Sequence, residues 1–151
     1  MIRVAVDLSG SEKGPDEVLA GAKLARQERN LEIILVGQSS AVAGKDLAGC
    51  SFLEAPLAIP MSEKISRELL RNQDSSLFKI VRLVQEGKAD AAVSGGNTAC
   101  FVALSTTLLG TIPNVERSGI AIFLPKMSGT TILIDAGANT APVSNTWSLT
   151  R

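Results

Sequence analysis

The chain has no histidine and no tyrosine, and aromatic residues make up only 3% of its 151 positions. Without imidazole there is no Ser-His-Asp or Cys-His catalysis and no imidazole ligand for a metal. Any chemistry must rest on carboxylates, Lys or Arg, hydroxyls, amides and backbone N–H groups. Trp147 is the one indole, so rings for stacking on bases are scarce, and a formal net charge of zero supplies no basic excess for a nucleic-acid surface. Cysteine is rare as well: Cys50 and Cys100 lack metal-ligand spacing and read as small core residues of a reduced, cytoplasmic protein. No apolar run approaches the ~18 residues that would span a bilayer. The first run is broken at Asp7, so neither a signal peptide nor a transmembrane segment is expected.

What is present is a 45% apolar chain arranged in alternating patterns. The run Ile2 to Asp7 is short and β-branched, as in a strand covered on both faces. A helix is expected from Pro15, with Asp16 and Glu17 complementing its N-terminal dipole and Asn30 near its end. Leu31 to Gly37 reads as a second buried strand. Ala41 to Ala48 is expected as a short helix, the run from Cys50 as a third strand, Ala58 to Ser62 as a loop, and Glu63 to Arg71 as a further helix. Between Asp74 and Gly87 the spacing of Leu77, Ile80, Val81 and Val84 predicts an amphipathic helix capped by Asp74 or Ser75. A strand over Ala89 to Ser94, a helix over Asn97 to Leu109, and two strands joined by the polar turn Lys126 to Gly129 complete the pattern. Strands alternating with helices predict an α/β domain with a mainly parallel sheet over residues 1–140. Residues 141–151 lose the pattern and read as a loop or disordered tail.

Two nucleotide motifs fail. Six residues separate Gly37 from Gly44, and Asp46 stands where a P-loop needs Ser or Thr. Gly10 and Gly14 have no third glycine to complete a dinucleotide fingerprint. Three other turns follow predicted strands: Asp7 to Pro15, Ser94 to Ala99, and Asp135 to Asn139. Small residues there let a ligand approach the backbone, and a helix N-terminus offers free N–H donors, so the expected guest is phosphate or another small oxyanion. Any one such turn reads equally well as a tight turn with an N-cap and no ligand, whereas three at one sheet edge favour a site. Arg117 is a candidate anion partner, with Lys13 and Lys126 as weaker versions.

The order of the segments "DLSGSEKGP", "DSSLFKIVRLVQEGKADAAVSGGNTA", "VERSGIAIFLP" and "GTTILIDAGAN" resembles the N-terminal half of the phosphate acyltransferases of bacterial phospholipid synthesis, over residues 2–139. The resemblance implies a Rossmann-like three-layer α/β/α sandwich and a homodimer. The implied reaction is transfer of a fatty acyl group from acyl carrier protein to inorganic phosphate, with no cofactor and no metal. It implies catalytic roles for Asp7, Asn97 and Arg117, and phosphate binding by Gly10, Ser94, Gly95, Gly96, Asn97, Thr98, Asp135, Gly137 and Asn139. Pro15 is carried over with the first turn. A cytoplasmic location, peripheral to the membrane at most, goes with this. Phosphate would itself be the nucleophile, which suits a chain without histidine. Family members are about twice as long, and the alternative is a non-catalytic or split-subunit piece of the phosphotransacetylase-like group that binds phosphate or a partner protein.

Overall fold

The computed structural model describes residues 1–115 and 118–135. These belong to two compact units, one running from Met1 to Leu109 and the other starting at Gly110. Each is taken by itself.

The first unit is built on a four-stranded parallel sheet. Its strands are β1 (Ile2–Asp7), β2 (Leu31–Gly37), β3 (Ser51–Glu54) and β4 (Ala91–Val93), in spatial order β3-β2-β1-β4. Helix α1 (Pro15–Glu28) connects β1 to β2, α2 (Arg67–Arg71) and α3 (Ser76–Gln85) lie between β3 and β4, and α4 (Thr98–Leu109) follows β4. The two-residue alternation of the strands sorts the core into two faces. Val6, Ile33 and Leu35 bury against Leu19 and Ala22 of α1. Ala5 and Val36 bury against Leu77, Ile80 and Val81 of α3 and against Cys100 and Leu104 of α4. This is the expected three-layer α/β/α arrangement with a parallel sheet.

Most predicted elements form, and the exceptions have local causes. Ala41 to Ala48 is not a helix: a 3-10 turn at Ser39–Ala41 gives way to a loop. There Gly44, Ala48 and Gly49 take φ of 70°, 49° and 78°, and the Asp46 carboxylate accepts from the Ala48 N–H at 2.8 Å. A side chain that satisfies nearby backbone in this way competes with helix formation. The helix expected from Glu63 starts only at Arg67, because the Ser66 hydroxyl accepts from the Leu69 N–H and fixes the N-cap there. In α3, Ser75 rather than Asp74 is the cap, accepting from the Phe78 N–H at 3.1 Å.

The second unit contains a hairpin of β5 (Ala121–Pro125) and β6 (Thr130–Ile134), antiparallel, with Ala121 opposite Ile134 and Pro125 opposite Thr130. Its turn is the polar segment 126–129, closed where Lys126 N–H donates to Gly129 O at 3.3 Å.

Candidate functional site

In the strand order β3-β2-β1-β4 the chain leaves β1 towards β2, yet β4 lies on the opposite side of β1. The connections therefore diverge between β1 and β4. In open parallel sheets the crevice beyond the strand carboxyl ends at such a point is where ligands bind. The turns after β1 and β4 meet there.

Asp7 ends β1 and is 1% exposed. Its Oδ1 accepts from the Ser9 N–H at 2.9 Å, which shapes the first turn. Its Oδ2 accepts from the Ser94 hydroxyl at 2.8 Å, and that hydroxyl accepts in turn from the Gly96 N–H at 3.0 Å. One buried carboxylate thus holds both turns. The turns also touch directly, glycine against glycine. A Cβ on Gly10 would stand 2.6 Å from Gly96 Cα and 2.7 Å from Asp7 Oδ2, and one on Gly96 would stand 2.8 Å from Gly10 Cα. Neither glycine needs a left-handed backbone; the close approach itself excludes a side chain. Gly37, at the end of β2, is packed the same way, with a hypothetical Cβ 2.9 Å from Leu8 Cβ.

Asn97 is the N-cap of α4. Its Oδ1 accepts from the Cys100 N–H at 3.0 Å. Its Nδ2 donates to the carbonyls of Pro60, Met61 and Glu63 at 3.1, 3.2 and 3.0 Å. The carboxamide, 4% exposed, is therefore engaged at both ends by the protein. Thr98 and Ala99 open the helix on the exposed side, where first-turn N–H groups have no intrahelical acceptor. Gly95 is exposed beside them.

The N-termini of α1 and α4 differ electrostatically. Pro15 opens α1, followed by Asp16 and Glu17 in its first turn, while α4 has no acidic residue in its first turn. The partial positive charge of α1 is matched by its own carboxylates. α4 has no such carboxylate in its own first turn, and the acidic residue near it is Glu63 of the preceding loop. The thiol of Cys100, buried behind this turn, is raised above its ordinary pKa by burial first and by Glu63 second. Cys50, also buried, is raised chiefly by burial, and the two cysteines are not bonded.

The structure thus brings together Asp7, Gly10, Ser94, Gly95, Gly96, Asn97 and Thr98 in the first unit. Lys13 is exposed in the loop before α1. Asp135 lies in the second unit, directly after β6, with φ 64° and its N–H donating to Ile120 O at 2.8 Å. Lys126 is exposed at the hairpin turn of that unit. Arg117, Gly137 and Asn139 lie outside the described residues. Sequence reasoning missed the segment Pro60 to Glu63, which takes part through its carbonyls and carries no side-chain signature. Gly37 was read as a strand end and as part of a failed P-loop, not as a close packing contact. Among the described residues no helix is long and apolar enough to cross a membrane.

Comparison with known proteins places the chain in a family. In fold, the chain is similar to the EutD phosphotransacetylase from Staphylococcus aureus, with a TM-score of 0.59 and 20% identity over 87% of this chain and 44% of the other. It is likewise similar to a branched-chain phosphotransacylase from Enterococcus faecalis V583, with a TM-score of 0.56, 19% identity, and 95% and 46% coverage. In sequence it is 42% identical over 138 residues to the phosphate acyltransferase of Thermotoga neapolitana, covering 91% of this chain and 41% of that one. It is 41% identical to the phosphate acyltransferase of Desulforudis audaxviator, with 91% and 42% coverage. The chain thus spans less than half the length of these curated relatives. The family model described as fatty acid synthesis protein matches residues 2–146, and the chain belongs to that family.

Proposed function

We propose that this chain carries the phosphate-binding part of a site that transfers a fatty acyl group from acyl carrier protein to inorganic phosphate, yielding acyl phosphate. The observation that carries the reading is the hydrogen-bonded chain from Asp7 through Ser94 to the Gly96 N–H, which sets the turn at the N-terminus of α4, whose first turn has no acidic residue of its own. The name shared by the curated relatives supports it.

In this reading the exposed amides at Thr98 and Ala99 hold phosphate, and Gly95 leaves the approach open. Asn97 contributes by fixing the turn, since its carboxamide is already engaged. The family resemblance gives Asp135, Gly137 and Asn139 phosphate-binding roles as well, and Arg117 the role of neutralising the anion. A phosphate oxygen bonds to the thioester carbon, and the tetrahedral oxyanion collapses with cleavage of the C–S bond. The thiolate leaves and takes up the proton that phosphate gives up. Catalysis is alignment of the two reactants and stabilisation of the oxyanion by fixed donors, so no imidazole and no covalent intermediate is needed. Homodimer formation and a cytoplasmic location, peripheral to the membrane at most, belong to the same proposal.

Incubation of the chain with palmitoyl-acyl carrier protein is expected to release the carrier's free thiol, read with a thiol reagent, only when phosphate is present. Phosphate alone is expected to raise the thermal unfolding midpoint, and a chain that neither turns over nor gains stability from phosphate would refute the reading.

A further inference from the structure

The acyl transfer proposed above needs two surfaces: donors for phosphate, and an apolar wall to receive the acyl chain next to them. The turn after β4 supplies only the first. The segment touching it is the loop between Ile59 and Ser66. Ile59 is 3% exposed and anchors one end in the core, while Ser66 fixes the other end by capping α2. Between the anchors every residue from Pro60 to Ile65 is exposed. Two of them are large and apolar: Met61 and Ile65, each 48% exposed. The core does not use these side chains, and hydrogen bonding does not explain them.

What holds this loop is Asn97. Its Nδ2 meets the carbonyls of Pro60, Met61 and Glu63 within 3.2 Å, and its Oδ1 caps α4 at the same time. A turn within the loop, Glu63 N–H to Pro60 O at 3.1 Å, gathers these carbonyls around the amide. A single side chain therefore sets the distance between the loop and the helix start whose amides face the anion.

We infer that the 60–65 segment is the acyl-side wall of the site, with Met61 and Ile65 contacting the acyl chain of a thioester donor and Asn97 acting as the positioning residue that holds the wall in place. The inference rests on the phosphate reading above and adds the substrate's second half to it. Chemistry at the carbonyl carbon requires the acyl chain to begin within a few ångströms of the bound phosphate. Asn97 holds the backbone of the loop that carries Met61 and Ile65 against the start of α4, so exposed apolar side chains of that loop are the first an acyl chain leaving the phosphate would meet.

The test uses the intact chain and two probes, inorganic phosphate and S-decanoyl-pantetheine, with affinities read by calorimetry. Met61→Ser combined with Ile65→Ser is expected to weaken thioester binding about tenfold, far more than phosphate binding, through lost apolar contact. Leu24→Ser, which removes a 55% exposed leucine from α1, serves as the control for lost surface apolarity and is expected to change neither. Asn97→Ala is expected to speed amide hydrogen exchange across residues 58–66 and to weaken both probes. If that variant fails to fold, the loop double variant still decides. Unchanged thioester affinity in the double variant, with phosphate still bound, overturns the inference alone. A wild-type chain that binds no phosphate overturns the reading and the inference together.

Discussion

Strands β1 and β4 are tied together at both ends, and the two ties differ in kind. At the amino ends, Arg3 and Asp90 form a salt bridge, Nη2 to Oδ1 at 2.7 Å, while the Arg3 backbone N–H donates to Asp90 Oδ2 at 2.8 Å. At the carboxyl ends, the buried Asp7 carboxylate accepts from the half-buried Ser94 hydroxyl at 2.8 Å. Both pairs sit in the same parallel register, which runs Val4 opposite Ala91 to Val6 opposite Val93. The amino-end tie faces water, where solvent screens the charges and an ion pair contributes little. The carboxylate of the carboxyl-end tie is out of water, where losing its partner leaves a desolvated group unsatisfied. The same strand pair thus has a replaceable clasp at one end and an essential one at the other, and the essential one adjoins the candidate site.

The glycine contact at the buried end should give the largest effect. Gly96→Ala and Gly10→Ala each push a Cβ to within 2.8 Å of the opposing backbone. Backbone cannot swing aside as a flexible side chain can, so a loss of about 2–3 kcal/mol is expected in denaturant unfolding. Gly21→Ala, inside α1 with nothing within 4 Å of the new Cβ, is expected to cost nothing and to stabilise by up to about 1 kcal/mol. Equal losses at the three positions would show that the two turns do not pack as described. Ser94→Ala comes next. It removes the donor to Asp7 Oδ2 and the acceptor for the Gly96 N–H, at an expected cost of about 1–3 kcal/mol. Phosphate should then stabilise the variant less than the wild type, because the turn loses its tether. A full phosphate response in a destabilised Ser94→Ala protein would separate the tether from the site. Asn97→Ala loses the α4 cap and also strands the carbonyls of Pro60, Met61 and Glu63, so its expected cost is comparable to that of Ser94→Ala, about 1–3 kcal/mol, read as a shift in unfolding midpoint.

The parts legible in sequence were those written in side-chain pattern. The β-branched runs of β1 and β2, and the spacing of Leu77, Ile80 and Val81 in α3, declare their elements because burial of those side chains drives them. The glycine-rich turn after β4 was legible because small and polar residues interrupt two apolar runs there. The strand order β3-β2-β1-β4 was not legible, since parallel neighbours pair through backbone groups that every residue shares. The same reason hid the Asn97 clasp. Its partners are the carbonyls of Pro60, Met61 and Glu63, and no residue type announces a carbonyl. Asp7 was recognised by its place after a strand, but its link to Ser94 depends on which strand lies beside β1. The helix expected over Glu63 to Arg71 and the one over Ala41 to Ala48 were decided by single capping and turn residues, Ser66 and Asp46, against the broader pattern.

The smallest effect belongs to the exposed tie, and pH is the way to isolate it. The Arg3 side chain is the main cause, and its backbone N–H the second, that hold the Asp90 carboxyl at about 2, below its ordinary 3.8. A carboxyl held lower in the folded state than in the unfolded one stabilises when ionised, so its contribution is complete above about pH 4. It fades as pH falls through the unfolded value and is gone once the folded carboxyl is protonated near pH 2. Asp90→Asn removes this dependence. Unfolding midpoints of wild type and Asp90→Asn are therefore expected to differ slightly at pH 6 and to converge as pH falls towards 2. A difference that persists undiminished at low pH would mean that Asp90 acts through its backbone turn and not through its charge. Ser94→Ala should behave differently at neutral pH, since the group it strands is buried. Its deficit should exceed that of Asp90→Asn, and if the two were equal the distinction between the ends of the strand pair would fail.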